Sequence, residues 1–252
     1  SCETGSYSGR VPDLYAIHAV VVEQDCKPVA QWKMTVRPKS GPVSKHTGKR
    51  DLDAPRRWSD EKPYRYTLIV SLLSAKDEIL EALSQKFGIR TITVANGQLL
   101  VNGRAVDFKG VNRHEHHPDL GRTMTLEMMH KDARLMKQFN INAVRHSHYP
   151  NDPRWYDICD EYGIYICDEV NAECHYGQEY LADTPGWEAA FMDRFEHMVQ
   201  RAKNSCSIIF WSTGNECGLG QAHYLMADYA RRVDPTRVLY HQSNRPDGEA
   251  PF

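Results

Sequence analysis

Glu216 is the residue whose setting most clearly suggests chemistry, because it follows a short apolar run. Residues 208–211 are Ile-Ile-Phe-Trp, and Gly214, Gly218 and Gly220 come after them. This pattern favours a buried parallel strand over a helix. Barrels of alternating strands and helices hold their catalytic groups at the C-terminal ends of the strands, so Glu216 is a candidate general acid or base. A strand that ends in a solvated loop glutamate is the alternative.

Polar residues also gather at the ends of three other predicted strands. The four clusters are Asn112, Arg113, His114 and Glu115; Arg145, His146, Ser147 and His148; Asp168, Glu169, Asn171, Glu173 and His175; and Asn215 with Glu216. Structural roles would scatter such residues between both ends of a sheet, whereas an active site concentrates them at the C-terminal end. The pattern therefore indicates an enzyme.

Three of these residues could bind a metal ion. Glu173 and His175 are two residues apart, so in an extended segment they face the same way. Together with Glu216 they form a set of mainly oxygen ligands, which suits Mg²⁺ or Mn²⁺ better than a structural zinc. A hydrogen-bonded histidine and glutamate pair without metal is the alternative. The run His-Glu-His-His-Pro at 114–118 is not the zinc-binding HExxH helix, because position 118 is proline.

The elements that must position these residues change in kind near residue 107. Before it, alternating apolar and polar runs with turn signals such as Asn-Gly at 102–103 predict a small antiparallel β-sandwich over residues 1–106. From 107 to 252, strands and helices alternate, and about five strands predict a parallel sheet covered by helices. The predicted helices run from Leu126 to Phe139 with Thr125 as N-cap, from Pro153 to Gly163 after Asn151 or Asp152, from Thr184 and Pro185 onward, and from Gln221 to Val233.

Length, charge and cysteine usage bound the class of protein. The 252 residues are enough for one large domain or two ordinary ones. With 31 Lys and Arg against 33 Asp and Glu, the formal charge of -2 suggests neither nucleic acid nor an anionic membrane as a partner. The seven cysteines have no regular spacing and are expected to be reduced. Without a membrane-length apolar window or a signal segment, a soluble cytoplasmic protein is expected.

Three motifs together resemble a known family. They are GVNRHEHHPDLGR at 110–122, NAVRHSHYPNDPRWYDICDEYGIYICDEVNAECHYG at 142–177 and IIFWSTGNECGLG at 208–220. In this order they resemble the catalytic domain of glycoside hydrolase family 2, in its bacterial β-galactosidase branch. The related β-glucuronidases differ at HEHHP, AECH and GNECG. The resemblance covers roughly residues 52–245 and implies an immunoglobulin-like β-sandwich followed by a (β/α)8 TIM barrel.

The resemblance also implies an activity and a site. The activity is the hydrolysis of terminal non-reducing β-D-galactosides, such as lactose, with retention of configuration. The implied roles are Glu216 as acid/base, His114 and His148 in the galactose site, Asn215 at the sugar 2-hydroxyl, Arg145 near the nucleophile, and Glu173, His175 and Glu216 as ligands of Mg²⁺ or Mn²⁺. The full-length parent protein is expected to be a homo-oligomer.

One departure from the family bears on activity. A retaining glycosidase needs a second carboxylate about 5 Å from the first, and the family's nucleophile is a glutamate near the end of the seventh strand, beyond the five predicted here. The expected fold is therefore an incomplete barrel of about five strands. The alternative function is a catalytically incomplete fragment or a non-catalytic module that lacks the nucleophile and is inactive alone. Asp168 and Glu169 are the nearby acids, but the family uses them as supporting residues, and His146 and Cys174 are smaller departures.

Overall fold

The computed structural model of the chain describes residues 2–4, 14–37, 44–174 and 178–242. The chain divides into two compact units, Ser1–Arg56 with Arg65–Phe87, and Arg57–Tyr64 with Gly88–Phe252. The sequence-based division into domains 1–106 and 107–252 follows the change of pattern near residue 107 and stays a prediction.

The first unit is built from antiparallel strands. They are β1 (Cys2–Thr4), β2 (Tyr15–Val22), β3 (Pro28–Val36), β4 (Ser44–His46), β5 (Tyr66–Leu73) and β6 (Ile79–Phe87). A four-stranded sheet has the order β3-β2-β5-β6, and β1 pairs with β4. The sequence pattern predicts β2, β3 and β5. It does not predict β6, where helix-forming residues such as Glu81, Ala82 and Leu83 are drawn into pairing with β5.

The second unit contains a three-stranded meander of β7 (Ile92–Ala95), β8 (Gln98–Val101) and β9 (Arg104–Ala105). Its turns are Asn96-Gly97 and Asn102-Gly103, and the four residues have φ values between +52° and +79°. Two-residue hairpin turns of type I′ need this left-handed backbone and therefore favour Asn-Gly. The turn predicted at 102–103 is confirmed, and Asn96-Gly97 forms a turn of the same kind.

A five-stranded parallel sheet carries the polar strand ends. Its strands are β10 (Gly110–Arg113), β11 (Ala143–His146), β12 (Tyr165–Glu169), β13 (Ile208–Asn215) and β14 (Val238–Gln242). They lie side by side in sequence order, and each is parallel to the next. The helices are α1 (Leu126–Gln138), α2 (Pro153–Tyr162), α3 (Gln178–Asp183), α4 (Glu188–Ala202) and α5 (Gln221–Val233). Parallel neighbours joined through helices are the pattern of a (β/α) barrel.

Capping residues explain where the first two helices begin and end. The Thr125 side chain caps α1 by accepting a hydrogen bond from the Met128 backbone N–H at 3.2 Å. Asp152 caps α2, and Pro153 takes its first position, where a missing N–H costs nothing. Gly163 ends α2 with φ +68°, a conformation that glycine adopts without strain. These ends are where the sequence predicts them.

Helix α4 begins later than the sequence predicts. The expected start lies at Thr184 and Pro185, whereas the helix begins at Glu188. Gly186 has φ +96°, which lies outside the helical region, so a continuous helix cannot pass through it. The short helix α3, which precedes this turn, is not predicted from the sequence.

The main core lies between the parallel sheet and its helices. Trp155 from α2, Phe195 from α4, Trp211 from β13 and Met226 from α5 are fully buried in it. Each long helix buries one face and leaves the other polar, as expected for helices packed on a sheet. In the part of the chain that the structure describes, no helix has the length and apolar composition needed to cross a bilayer.

Candidate active site

Four neighbouring strands end in buried polar residues at one edge of the sheet. β10 ends at Arg113, β11 at His146, β12 at Glu169 and β13 at Asn215. Parallel strands in register place their C-terminal ends together. The structure thus brings four separate sequence motifs to one place.

Glu169 is the centre of the hydrogen bonds at this edge. Its Oε2 accepts from Arg145 Nε at 2.9 Å and Nη2 at 2.7 Å, and from Ser212 Oγ at 2.8 Å. Its Oε1 lies 2.6 Å from His148 Nδ1. A carboxylate accepts here, so this nitrogen of His148 carries the proton and donates it. Glu169 is fully buried and therefore fixes the orientation of both Arg145 and His148.

Asn215 is oriented by the same arginine. Arg145 Nη2 donates to Asn215 Oδ1 at 2.7 Å. Because Oδ1 accepts this bond, the amide nitrogen Nδ2 faces the other way, and it lies 3.5 Å from Glu173 Oε1. The backbone N–H of Asn215 donates to the carbonyl of Ala172 at 3.0 Å, which ties the segment before Glu173 to the end of β13.

Glu216 follows the strand in an unusual backbone conformation. Its φ is +47°, a left-handed value that few non-glycine residues adopt, and its N–H donates to the carbonyl of Gln242 on β14 at 2.9 Å. Gly214 approaches the chain so closely that a Cβ there would lie 2.7 Å from the Ala172 carbonyl oxygen. The sequence Gly-Asn-Glu therefore turns the chain sharply at the strand end and leaves the Glu216 side chain half-buried.

His114 and His148 meet at the same edge. Their ring centroids are 5.5 Å apart and the rings are nearly perpendicular, at 78°. His148 uses Nδ1 to hold Glu169, which leaves Nε2 as the nitrogen that can meet a substrate. The structure brings together the predicted residues His114, Arg145, His148, Asn215 and Glu216 near the ends of neighbouring strands; their catalytic and binding roles stay predictions.

His146, a neighbour of Arg145, lies on the opposite side of the sheet. Its Nδ1 is 2.8 Å from Asp168 Oδ1, and the indole N–H of Trp155 donates to its Nε2 at 3.0 Å. Tyr156 also donates to Asp168 Oδ1 at 2.8 Å, and burial next to this carboxylate raises the pKa of Tyr156 well above its usual value. This network is buried under α2, so His146 supports the fold and not the substrate site.

Two histidines that the sequence motifs do not single out lie beside the segment that follows Glu216. His223 is in the first turn of α5, and His241 is in β14. Their ring centroids are 4.4 Å apart. No local spacing signals this pair, because the two residues come from separate elements that only the fold brings together.

Two family models match the chain. The model described as "Glycosyl hydrolases family 2, TIM barrel domain" matches residues 92–250, and "Glycosyl hydrolases family 2" matches residues 18–90. The chain belongs to glycosyl hydrolase family 2. This confirms the resemblance found in the motifs and the fold predicted from it, a β-sandwich followed by about five strands of a TIM barrel.

Curated proteins named beta-galactosidase resemble the chain in sequence. It is 47% identical over 190 residues to the beta-galactosidase of Photobacterium profundum and 45% identical over 202 residues to that of Alteromonas mediterranea. The matches cover 75% and 79% of this chain but only 18% and 19% of those proteins. The chain thus spans about a fifth of the length of the curated relatives that it matches.

Solved structures of two glycosidases share the fold. A family 2 member from Bacteroides cellulosilyticus has a TM-score of 0.81 and 23% identity, and the match covers 92% of this chain and 31% of that one. A beta-D-glucuronidase from Dictyoglomus thermophilum has a TM-score of 0.76 and 25% identity, covering 94% and 41%. At these identities the likeness shows the fold alone and leaves the sugar unspecified.

The predicted metal ligands can be compared with the structure only in part. His175 lies outside the described residues, and within the described residues no three His, Cys, Asp or Glu side chains form a group that could hold a metal ion. Glu173 pairs with Asn215, the residue before Glu216, in a parallel bridge, so the segments that carry both carboxylates are adjacent. Carboxylate oxygens are the donors that Mg²⁺ prefers, and this donor chemistry fits the ion.

Proposed function

We propose that this chain supplies the acid/base side of the active site of a retaining β-galactosidase. The observation that carries the proposal is the pair Asn215-Glu216. Arg145 holds Asn215 at the end of β13, and Glu216 follows directly in the turn beyond the strand. The curated relatives named beta-galactosidase support a β-D-galactoside as the substrate.

Glu216 moves the proton in both steps of the proposed reaction. In the first step its carboxyl group donates a proton to the glycosidic oxygen, while the nucleophilic carboxylate forms a bond to the anomeric carbon and the glycosidic bond breaks. In the second step the carboxylate takes a proton from water, and the resulting hydroxyl attacks the anomeric carbon and releases the sugar from the glycosyl-enzyme. One residue thus serves first as acid and then as base.

The neighbouring side chains are arranged to bind the sugar. Arg145 occupies Asn215 Oδ1, so Nδ2 is the atom that can donate to the 2-hydroxyl, a bond that strengthens as the ring becomes oxocarbenium-like. His148 is held through Nδ1, so Nε2 is available to a second hydroxyl. His114, packed edge-on against His148, lines the same place.

Neither Glu169 nor Asp168 suits the role of nucleophile. Both oxygens of Glu169 already accept hydrogen bonds, from Arg145, His148 and Ser212. Asp168 is fully buried and bonded to His146, on the side of the sheet away from Glu169. We therefore assign the nucleophile to a glutamate on a later barrel strand, as the family resemblance implies.

Glu173, His175 and Glu216 are the proposed ligands of Mg²⁺, with Mn²⁺ as a substitute. When bound, the ion would supply positive charge next to the acid/base carboxyl group. A cytoplasmic location and a homo-oligomeric full-length protein complete the proposal.

The test is the hydrolysis of aryl β-D-galactosides by the full-length protein that carries this sequence, beside Glu216→Gln. For phenyl galactosides, whose leaving group needs protonation, we expect kcat/KM to fall by about 10²- to 10⁴-fold in the variant. For the 2,4-dinitrophenyl galactoside, whose leaving group departs without a proton, kcat/KM should change little. Azide should restore turnover and give β-galactosyl azide, since an anion can attack without a base.

Two controls complete this test. Glu161→Gln makes the same chemical change at an exposed position in α2 and should retain full activity. Aryl β-D-glucuronides, the alternative that one structural relative suggests, should be poor substrates. An equal loss of kcat/KM for both leaving groups in Glu216→Gln would refute the acid/base role, and a preference for glucuronides would refute the substrate.

A further inference from the structure

The segment Cys217–Gly220, which follows the proposed acid/base, lies beyond the ladder between β13 and β14. That ladder ends at Asn215 and Gln242, and Gly218 has φ +71°. A segment of this kind has no regular pattern of backbone hydrogen bonds to hold it, so other groups must fix its path.

His223 holds this segment at both ends. Its Nδ1 accepts a hydrogen bond from the backbone N–H of Gly220 at 3.1 Å. Nδ1 must therefore be unprotonated, and the proton of the neutral ring is on Nε2, which donates to Cys217 Sγ at 3.2 Å.

His241 holds the middle of the same segment. Its Nε2 donates to the carbonyl of Gly218 at 2.8 Å, and Thr213 Oγ1 donates to its Nδ1 at 3.0 Å. A carbonyl only accepts, so the proton of His241 is on Nε2 and its tautomer is fixed. Its ring packs on His223, and the two imidazoles contact the segment at Cys217, Gly218 and Gly220.

Both rings are held in the neutral form that these hydrogen bonds require. Burial lowers the pKa of His223 to about 3, and the neighbouring His241 contributes to this lowering. Burial also lowers the pKa of His241. The arrangement therefore stays the same across the neutral range of pH.

We propose that His223 and His241 are positioning residues that fix the turn carrying Glu216 and so set the direction in which its proton reaches the glycosidic oxygen. The inference rests on the proposed function. It extends that function because the hydrogen bonds of both residues described above go to the segment next to Glu216. Proton transfer depends steeply on distance and angle, so a displaced turn should slow the acid-dependent step.

The test compares two variants of His223 in the full-length protein. In His223→Asn, the amide oxygen lies near the position of Nδ1 and keeps an acceptor for the Gly220 N–H. In His223→Gln, the amide lies near Nε2, which keeps the contact with Cys217 but loses that acceptor. We expect His223→Gln to lower kcat/KM for phenyl β-D-galactosides by about 10²-fold, with little change for the 2,4-dinitrophenyl galactoside. His223→Asn should keep most of the wild-type kcat/KM for both substrates.

His241 offers an independent pair of variants. His241→Gln keeps a donor near Nε2 for the Gly218 carbonyl, whereas His241→Asn does not reach it. We expect the loss of kcat/KM to depend more strongly on the leaving group in His241→Asn than in His241→Gln. The order is thus opposite to that at His223, because the backbone of the turn bonds to Nδ1 of His223 but to Nε2 of His241.

Hydrogen exchange gives a measurement that does not need activity. The Gly220 amide should exchange about tenfold faster in His223→Gln than in His223→Asn, because only the latter keeps its acceptor. Equal exchange in the two variants, or equal losses of kcat/KM for all leaving groups, would overturn the positioning role. Glu216→Gln is measured in parallel. If its loss of kcat/KM also does not depend on the leaving group, the proposed function fails. If Glu216→Gln shows this dependence and the histidine variants do not, only this inference fails.

Discussion

Two histidine and carboxylate pairs lie on opposite sides of the same two strands. His146 pairs with Asp168 at 2.8 Å, and His148 pairs with Glu169 at 2.6 Å. Both pairs use Nδ1 of the ring, and both carboxylates are fully buried. By residue type and by pairing they are nearly identical.

The second ring nitrogen makes the difference between them. Nε2 of His146 accepts the indole N–H of Trp155 in a place that is closed to solvent. The His148 side chain keeps 19% of its surface exposed, at the edge where Asn215 and Glu216 lie. A carboxylate partner therefore does not by itself mark a catalytic histidine. The partner of the other nitrogen decides whether the ring supports the core or meets a substrate.

The largest effect that this comparison predicts is on activity, in His148→Asn. Asparagine keeps a donor near Nδ1 for Glu169 and removes Nε2. If Nε2 contacts the sugar in the transition state, kcat/KM for aryl β-D-galactosides should fall by about 10²- to 10³-fold in the full-length protein, as for other lost transition-state contacts. The melting temperature should stay within a few degrees of wild type. A variant with full activity would contradict the assignment of His148 to the galactose site.

The matched change at His146 should act on stability. His146→Asn keeps a donor near Nδ1 for Asp168, but it leaves the buried Trp155 N–H without an acceptor and removes part of the ring. Together these should lower the free energy of unfolding by about 3 kcal/mol. The measurements are denaturant unfolding and kcat/KM under conditions where the variant is folded. A large loss of kcat/KM without a loss of stability would break the distinction between the two pairs.

The sequence predicts that these polar residues gather at the strand ends, but it does not predict which side of the sheet His148 faces. Strand alternation separates Arg145 from His146 and Asp168 from Glu169. It would place His148 on the same side as His146, yet β11 ends at His146 and the chain then turns, so His148 reaches Glu169. Alternation applies only inside a strand, and the functional residue lies just outside it.

The fold was predictable where local signals agreed with tertiary packing. Apolar runs such as that of β13, and capping residues such as Thr125 and Gly163, fix elements locally. Strand β6 was not predictable, because its residues favour helix and only pairing with β5 makes them a strand. The pair His223 and His241 was missed for a related reason, since tertiary contacts alone join α5 and β14.

His223 extends the comparison to a buried histidine whose ring bonds to a backbone N–H and a thiol in place of a carboxylate. Its pKa falls from 6.5 to about 3 through burial. As pH falls, the imidazole therefore takes up a proton in the unfolded state at a higher pH than in the folded state. Its contribution to the free energy of unfolding is fully present above about pH 6.5 and is lost as pH drops toward 3. Between about pH 7 and pH 5 the loss should be ~2 kcal/mol.

The measurement for this third histidine is denaturant unfolding at both pH values. His223→Asn does not titrate in this range, so its stability should fall less between pH 7 and pH 5 than that of the wild-type protein. His241 also has a pKa lowered by burial and responds in the same range, but it is present in both proteins, so the difference between them reports His223. Asp234 has a lowered pKa as well, but its carboxylate responds below about pH 4 and lies outside the window. If the free energy of unfolding falls by the same amount between pH 7 and pH 5 in the variant and the wild type, His223 is not held in its neutral form.

The smallest effect is expected for Trp155→Phe, which removes the donor to His146 while keeping an aromatic ring in the core. The lost hydrogen bond and the smaller side chain should cost about 1 to 2 kcal/mol. His146 Nε2 then lacks its partner, but an unpaired acceptor on a neutral ring is a smaller penalty than the unpaired indole donor left by His146→Asn.

The double variant His146→Asn with Trp155→Phe makes this difference measurable. In the His146→Asn background, Trp155→Phe removes the N–H that has lost its acceptor, so the second substitution should cost little or restore stability. The double variant should therefore be more stable than the sum of the single effects predicts, by about 1 kcal/mol or more. Additive effects would mean that the hydrogen bond between Trp155 and His146 does not contribute to stability. The partner of the second ring nitrogen would then no longer explain why His146 is structural and His148 is not.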